Sequence, residues 1–273
     1  MKGPAIEITE RLDEELRQAA RKGDAKSLRD LLGRGAGVAS TDEEGWTTLM
    51  LAAASGSAEC LKLLRAVDPT RRTRNGVTAL MIAAEKGWAE GVELLLGSIE
   101  SGPRGARRRR AALAQRSDSG GTPLIAAAKS RNARCARLLL PGSDSRAADM
   151  HGRTALMWAA TGAETQATEC VEALLSASGV DKRDRQGWAA LDWAVAEGRA
   201  ETVALLARSI DPRTRDKEGR SAFDRACERG GDEGERIRRA LLKAIAEKER
   251  DELGEAAGAA GDAANGEPRP RSL

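Results

Sequence analysis

The chain has 273 residues, of which 41% are hydrophobic but only 2% aromatic, with no Tyr and one Phe. A single large core relies on more aromatic volume than that, so thin layers of closely packed, Ala- and Leu-rich helices are expected instead. Charge is high but nearly balanced, 45 basic against 42 acidic residues, and a net charge of +3 makes no case for nucleic acid by itself.

The four cysteines lie far apart and form no C-x-x-C pair, which excludes a disulfide framework and a zinc pattern. Met1-Lys2-Gly3-Pro4 leads into charge rather than an apolar h-region, and the longest uncharged run, Gly45 to Ala58, is too short to cross a bilayer. These features predict an intracellular, cytoplasmic protein that spans no membrane.

In chain order, residues 1–9 read as a tail. Leu12, Leu16, Ala19 and Ala20 then fall at helical spacing, and Leu28, Leu31 and Leu32 mark a second helix. This charged pair, over 10–41, is expected to act as an N-terminal cap. From residue 42 to about 248, six similar segments repeat. They run Asp42-Glu-Glu-Gly45-Trp46-Thr47-Thr-Leu49, Gly76-Val-Thr78-Ala-Leu80, Gly120-Gly-Thr122-Pro123-Leu124, Asp149-Met-His-Gly152-Arg-Thr154-Ala-Leu156, Asp184-Arg-Gln-Gly187-Trp-Ala-Ala-Leu191 and Asp216-Lys-Glu-Gly219-Arg-Ser221-Ala-Phe223.

Each position has a physical role. Asp bonds its own backbone and Gly supplies a positive φ, which together make a turn. The Thr two residues after Gly caps a helix, and Pro123 suits a first helical position, where its missing N–H costs nothing. Gly56, Gly87, Gly198 and Gly230 are placed to end that helix in a left-handed cap. A second helix comes next, ending in paired or tripled leucines such as Leu94-Leu95-Leu96 and Leu138-Leu139-Leu140. No single unit can bury its apolar face, so neighbours must stack.

This pattern resembles the ankyrin repeat, whose signature is D-x-x-G-x-T-P-L-H-x-A-A with a period near 33. Thr122-Pro123-Leu124 matches directly; elsewhere Ala replaces most of the prolines, and Met, Ile or Asp stands for the His. The Thr-Ala-Leu-Met runs with Glu169-Cys170-Val171-Glu172 also resemble ankyrin-only proteins of protists. The resemblance implies an all-α solenoid that binds a protein partner on its turn fingers and first-helix ends, as scaffold or adaptor, without a cofactor. A regulatory ankyrin part of a larger enzyme, such as a kinase, is an alternative. A monomer is expected, and nothing points to a small-molecule substrate.

Several residues need two readings side by side. Cys60, Cys135 and Cys170 occupy one small-residue slot of the second helix, and Cys227 aligns with Ala53; all four are expected to be packed and inert. His151 is the only histidine and has no marked nucleophile beside it, so no catalytic triad is expected. Trp158 and Trp193 align with Leu51 and Ile82, which predicts core positions. Trp46 and Trp188 come directly after the turn glycine; they either anchor a partner or pack on the adjacent finger.

By resemblance, the binding face would comprise Trp46, Arg74, Asn75, Glu85, Lys86, Met150, His151, Arg153, Arg185, Gln186, Trp188, Lys217, Glu218 and Arg220, joined at the first-helix ends by Lys129, Ser130 and Glu197. The interval of 44 residues before Gly120, against 31 to 35 elsewhere, implies an insertion at about 98–116, read as an elongated basic finger. It carries Arg104, Arg107, Arg108, Arg109, Arg110 and Arg116 and no acidic residue over 104–116. It either grips an anion, a nucleic acid or an import receptor, or is a solvated loop; no aromatic is interleaved, so base stacking is not supported. Ile237, Ala240, Leu241, Ala244 and Ile245 form the apolar stripe of a closing helix, with Arg236, Arg238, Arg239 and Lys243 outside it. The Gly-, Ala- and charge-rich stretch within 249–273 is expected to be disordered.

Overall fold

The computed structural model describes residues 4–101, 103–162, 164–177 and 179–264, with side chains over 8–101, 103–162, 167–177, 179–251 and 253. A helical pair, α1 (Pro4–Lys22) and α2 (Ala25–Gly33), comes first. Six further pairs succeed it: α3 (Thr48–Ser55) and α4 (Ala58–Leu63), α5 (Ala79–Glu85) and α6 (Ala89–Glu100), α8 (Pro123–Lys129) and α9 (Ala133–Leu139), α10 (Ala155–Ala160) and α11 (Glu164–Leu175), α12 (Ala190–Ala196) and α13 (Ala200–Ala207), and α14 (Ala222–Glu228) and α15 (Gly231–Ala264). One extra helix, α7 (Gly105–Leu113), lies between the second and third repeats.

The pairs stack into two helical layers. First helices pack α1 on α3, α3 on α5, α5 on α8, and so on to α14; second helices run from α2 on α4 to α13 on α15. Helices of six to eight residues are too short to persist alone in water, so the stacking holds them. Helices α3, α5, α8 and α10 each carry a pair of fully buried small side chains, Ala52 and Ala53, Ala83 and Ala84, Ala127 and Ala128, Ala159 and Ala160. Leucines and valines of the second helices (Leu61, Val92, Leu139, Val171, Val203) fill the space behind them.

Caps set where each first helix begins. The hydroxyls of Thr47, Thr78, Thr122 and Thr154 accept the N–H three residues on, from Met50, Met81, Ile125 and Met157. Ala189 has no hydroxyl, and there the Asp192 carboxylate reaches back to the Ala189 N–H at 2.8 Å. Ser221 and Asp224 do both at once.

The last two repeats are joined by charge. Arg225, 8% exposed, reaches Asp192 of the preceding repeat at 3.1 Å and also binds Asp216 of its own finger. Burial pushes the Asp192 carboxyl above its ordinary value despite the amide of Ala189 and the nearby Arg225. In Asp216 burial acts the same way, but the Arg220 amide, the Arg225 side chain and the Glu218 amide outweigh it and hold the carboxyl below its ordinary value.

The ends differ from the sequence expectation. Helix α1 begins at Pro4, inside the stretch read as a tail. Helix α15 runs to Ala264, past the point where disorder was expected, because that stretch is rich in Ala, the strongest helix former; residues 265–273 lie outside the described residues. Ile237, Leu241 and Ala244 are buried as predicted, but Arg238 is half-buried and donates to the carbonyls of Ala226 and Arg229 at the end of α14. The left-handed residue after α14 is Gly231 (φ 76°), not Gly230. Cys227 is exposed rather than packed, since among the described residues no first-layer helix comes after α14 to cover it.

Two stability measurements test this packing. Gly152 and Gly219 both hold a φ near 80°, but a Cβ at Gly152 would sit 2.9 Å from the backbone N of Arg185, while at Gly219 it would meet nothing. Gly219→Ala should cost about 1 kcal/mol for the left-handed conformation alone, and Gly152→Ala about 2–4 kcal/mol once the clash is added, read as the larger fall in Tm. Arg225→Met strands two covered carboxylates and should cost about 3–5 kcal/mol; in an Asp192→Asn background, chemical denaturation should show a smaller loss.

Candidate functional site

Each finger is built from one side-chain oxygen. Asp42 Oδ1 accepts the N–H groups of Glu44 and Trp46 at 3.1 and 2.8 Å. Asp149, Asp184 and Asp216 do the same for residues two and four further on. In the second and third repeats Thr73 and Ser117 supply the oxygen, to Val77 and Gly121.

Successive fingers are then tied through their backbones. The N–H of Arg74 donates to Glu44 O, Asp118 to Asn75 O, Met150 to Ser119 O and Arg185 to His151 O, at 2.8–3.1 Å. Between the fifth and sixth fingers a side chain replaces the amide, Lys217 Nζ donating to Arg185 O at 2.7 Å. The backbone is thus consumed in holding the row, and the tips present only side chains. Arg74, Asn75, Met150, His151, Arg185, Gln186, Lys217 and Glu218 are all exposed there. Met150, at 50% exposure, is one of few large hydrophobic side chains left open.

Glu85 and Lys86 are exposed at the end of α5, and Glu197 after α12. Ser130 is used internally: its hydroxyl donates to Ala84 O of the preceding repeat and to Ala127 O, both at 2.8 Å. Arg220 pairs with Glu218 and Glu228. A groove of about 410 Å³ runs between the second and third fingers, lined by Asn75, Glu85, Asp118, Ile125 and Lys129 among others.

The tryptophans fall differently from expectation. Trp158 and Trp193 are half-buried at the base of the fingers, not enclosed in the core. Their indole N–H groups donate to the second carboxylate oxygens of Asp149 and Asp184 at 2.9 and 3.0 Å, which turns the rings toward the fingers. Around them lies a cluster of cations. Lys129 Nζ is 4.6 Å and Arg153 Cζ 5.0 Å from the centre of Trp158; Arg153 is also 3.9 Å from the centre of Trp193. Trp188 tilts against Trp193 with ring centres 4.8 Å apart and carries Arg225 at 4.2 Å. Trp46 and Trp188 are themselves half-buried, Trp46 against the core.

The basic insertion is a helix rather than a finger. Ala112 and Leu113 are buried, and α7 packs on α6. Arg109 pairs with Glu100 and donates to Leu138 O and Pro141 O, Arg108 to Ser101 O, and Arg116 to Ala148 O. Arg104, Arg107 and Arg110 are exposed. Cys60, Cys135 and Cys170 are buried, and burial pushes the Cys135 thiol up to about 11 and that of Cys170 to about 12, far from thiolate chemistry. Among the described residues no cluster of His, Cys, Asp and Glu could hold a metal ion, and no helix is long and apolar enough to cross a membrane.

The cation–indole cluster is hidden from sequence alignment, which assigns its slot from Leu51 and Ile82. A signal is present nonetheless: nine residues after Asp149, Asp184 and Asp216 stand Trp158, Trp193 and Arg225, each an N–H donor.

Comparison with known proteins agrees with this architecture. The model of ankyrin repeats in three copies matches residues 16–104 and 109–182, more than half of the chain. No curated protein matches the sequence. Among solved structures, the human ASB11 ankyrin repeat domain superposes with a TM-score of 0.68 at 23% identity, covering 84% of this chain and 96% of that one. With its fingers, its two helical layers and its repeat signature, the chain belongs to the ankyrin-repeat family.

Proposed function

We propose that the chain is a scaffold or adaptor that holds a protein partner on its fingers and first-helix ends. Ankyrin repeats are protein–protein interaction modules. The observation that carries the reading is the row of fingertips: backbones tied by hydrogen bonds in series, side chains exposed and different in every repeat. A row fixed in advance loses little conformational entropy when a partner docks. Burial holds the Cys135 and Cys170 thiols protonated, and among the described residues no group of His, Cys, Asp and Glu could hold a metal ion. Binding of nucleic acid through α7 is the weaker reading, because Arg108, Arg109 and Arg116 already donate to carbonyls of the chain itself.

A nuclease-treated pull-down from cell lysate tests the proposal. Met150→Ala, His151→Ala and Arg185→Ala combined leave every finger backbone bond in place and should abolish capture of a protein while helix content is unchanged. Capture that survives all three changes refutes the assignment of this face. Capture that disappears with nuclease in the wild type, or with Arg104, Arg107 and Arg110 changed to Gln, moves the function to α7.

A further inference from the structure

The cations over Trp158 lack what cations in a folded protein usually have. Lys129 and Arg153 both lie within 5.0 Å of the same ring centre, well inside the ~10 Å over which charges feel each other at 0.1 M salt. Among the described residues neither side chain has an ion pair or a hydrogen bond, and the Arg153 Nε is buried without a partner. Arg153 is therefore packed against two indole rings, and its guanidinium makes no hydrogen bond among the described residues.

The carboxylates nearest in the repeat are committed elsewhere. Asp149 gives one oxygen to the amides of His151 and Arg153 and the other to the Trp158 indole N–H. Asp184 does the same for Gln186, Trp188 and the Trp193 indole. Two cations are thus held against one indole, and among the described residues neither makes an ion pair.

We infer that Lys129 and Arg153, seated on Trp158, form a clamp for an acidic side chain, Asp or Glu, of the bound protein. This rests on the finger face being the binding surface and adds the chemistry of its partner. Lys129 also borders the groove between the second and third fingers, so a segment lying in that groove would pass its carboxylate to the clamp. Glu85 and Asp118 line the groove too, which repels a second acid there and sets the register of the first. A planar, pre-oriented guanidinium receives a carboxylate in two parallel hydrogen bonds. The rings of Trp158, Trp188 and Trp193 are already covered by cations or by each other, leaving none of them open for a nucleobase to stack on.

The test uses the full chain and two labelled peptides, one of alternating glutamate and serine, the other with glutamine in place of each glutamate, monitored by fluorescence polarisation. The glutamate peptide should bind, more weakly as salt is raised, and the glutamine peptide at least about tenfold more weakly. Arg153→Gln and Lys129→Glu should each reduce glutamate-peptide binding by about tenfold or more, while Arg107→Gln leaves it unchanged. Lys129→Glu guards against a folding artefact, because its new carboxylate can pair with Arg153 within the chain, and its Tm should equal or exceed that of the wild type. Equal binding of both peptides, binding of neither, or indifference to Arg153→Gln and Lys129→Glu would overturn the clamp. An RNA oligonucleotide that displaces the glutamate peptide and depends on the same two residues would overturn it in favour of phosphate recognition. In the pull-down, capture lost on changing Met150, His151 and Arg185 but kept in Arg153→Gln and Lys129→Glu sinks the clamp alone; capture indifferent to all five changes sinks the binding face with it.

Discussion

One side-chain oxygen at the head of each finger decides how the rest of the repeat sits. It accepts two backbone N–H groups, two and four residues on, and so fixes a turn whose glycine lies against the backbone of the next finger. The cap residue comes at once, so the first helix can start in only one place and direction. A hydroxyl makes only the second of these bonds, Thr73 accepting from Val77 and Ser117 from Gly121. A carboxylate does more, because its second oxygen is left over. In the fourth, fifth and sixth repeats that oxygen draws in a donor nine residues later: Trp158, Trp193 and Arg225. In the first repeat Leu51 stands there and cannot donate, and Asp42 lies 3.9 Å from Arg21 of α1 instead.

That difference divides the face of the array. The fingers of the first half present Glu43, Glu44, Arg74 and Asn75 over an aliphatic floor, whereas the second half stands on indoles with cations laid over them. The arginines of the insertion behave otherwise. Arg109 and Arg116 reach carbonyl oxygens of the next repeat, so a run that looks like a charged appendage in sequence ties repeats together in space.

The repeat itself is legible in the sequence because its signals are local and recur: Gly after the turn, Thr at the cap, Ala pairs for close helix packing. The cysteine slot at 60, 135 and 170 is legible for the same reason, since three independent repeats agree on it. What escapes depends on direction rather than position. Alignment gives Trp158 its slot, but only the Asp149 carboxylate decides which way its ring turns. An interval longer than its neighbours shows that something is inserted after α6, not that Ala112 and Leu113 anchor it as a helix. Likewise the polarity of the Ala-rich end suggests disorder, while its helix propensity carries α15 on to Ala264.

Arg225 belongs to the sixth repeat but neutralises Asp192 of the fifth. Elsewhere in the array the helices meet through Ala and Leu, with hydrogen bonds between fingers and exposed pairs such as Arg134 with Glu93 beside them. At this joint, parting also separates an enclosed ion pair, Arg225 with Asp192. The joint between the fifth and sixth repeats is therefore held by an enclosed charge pair as well as by apolar contact.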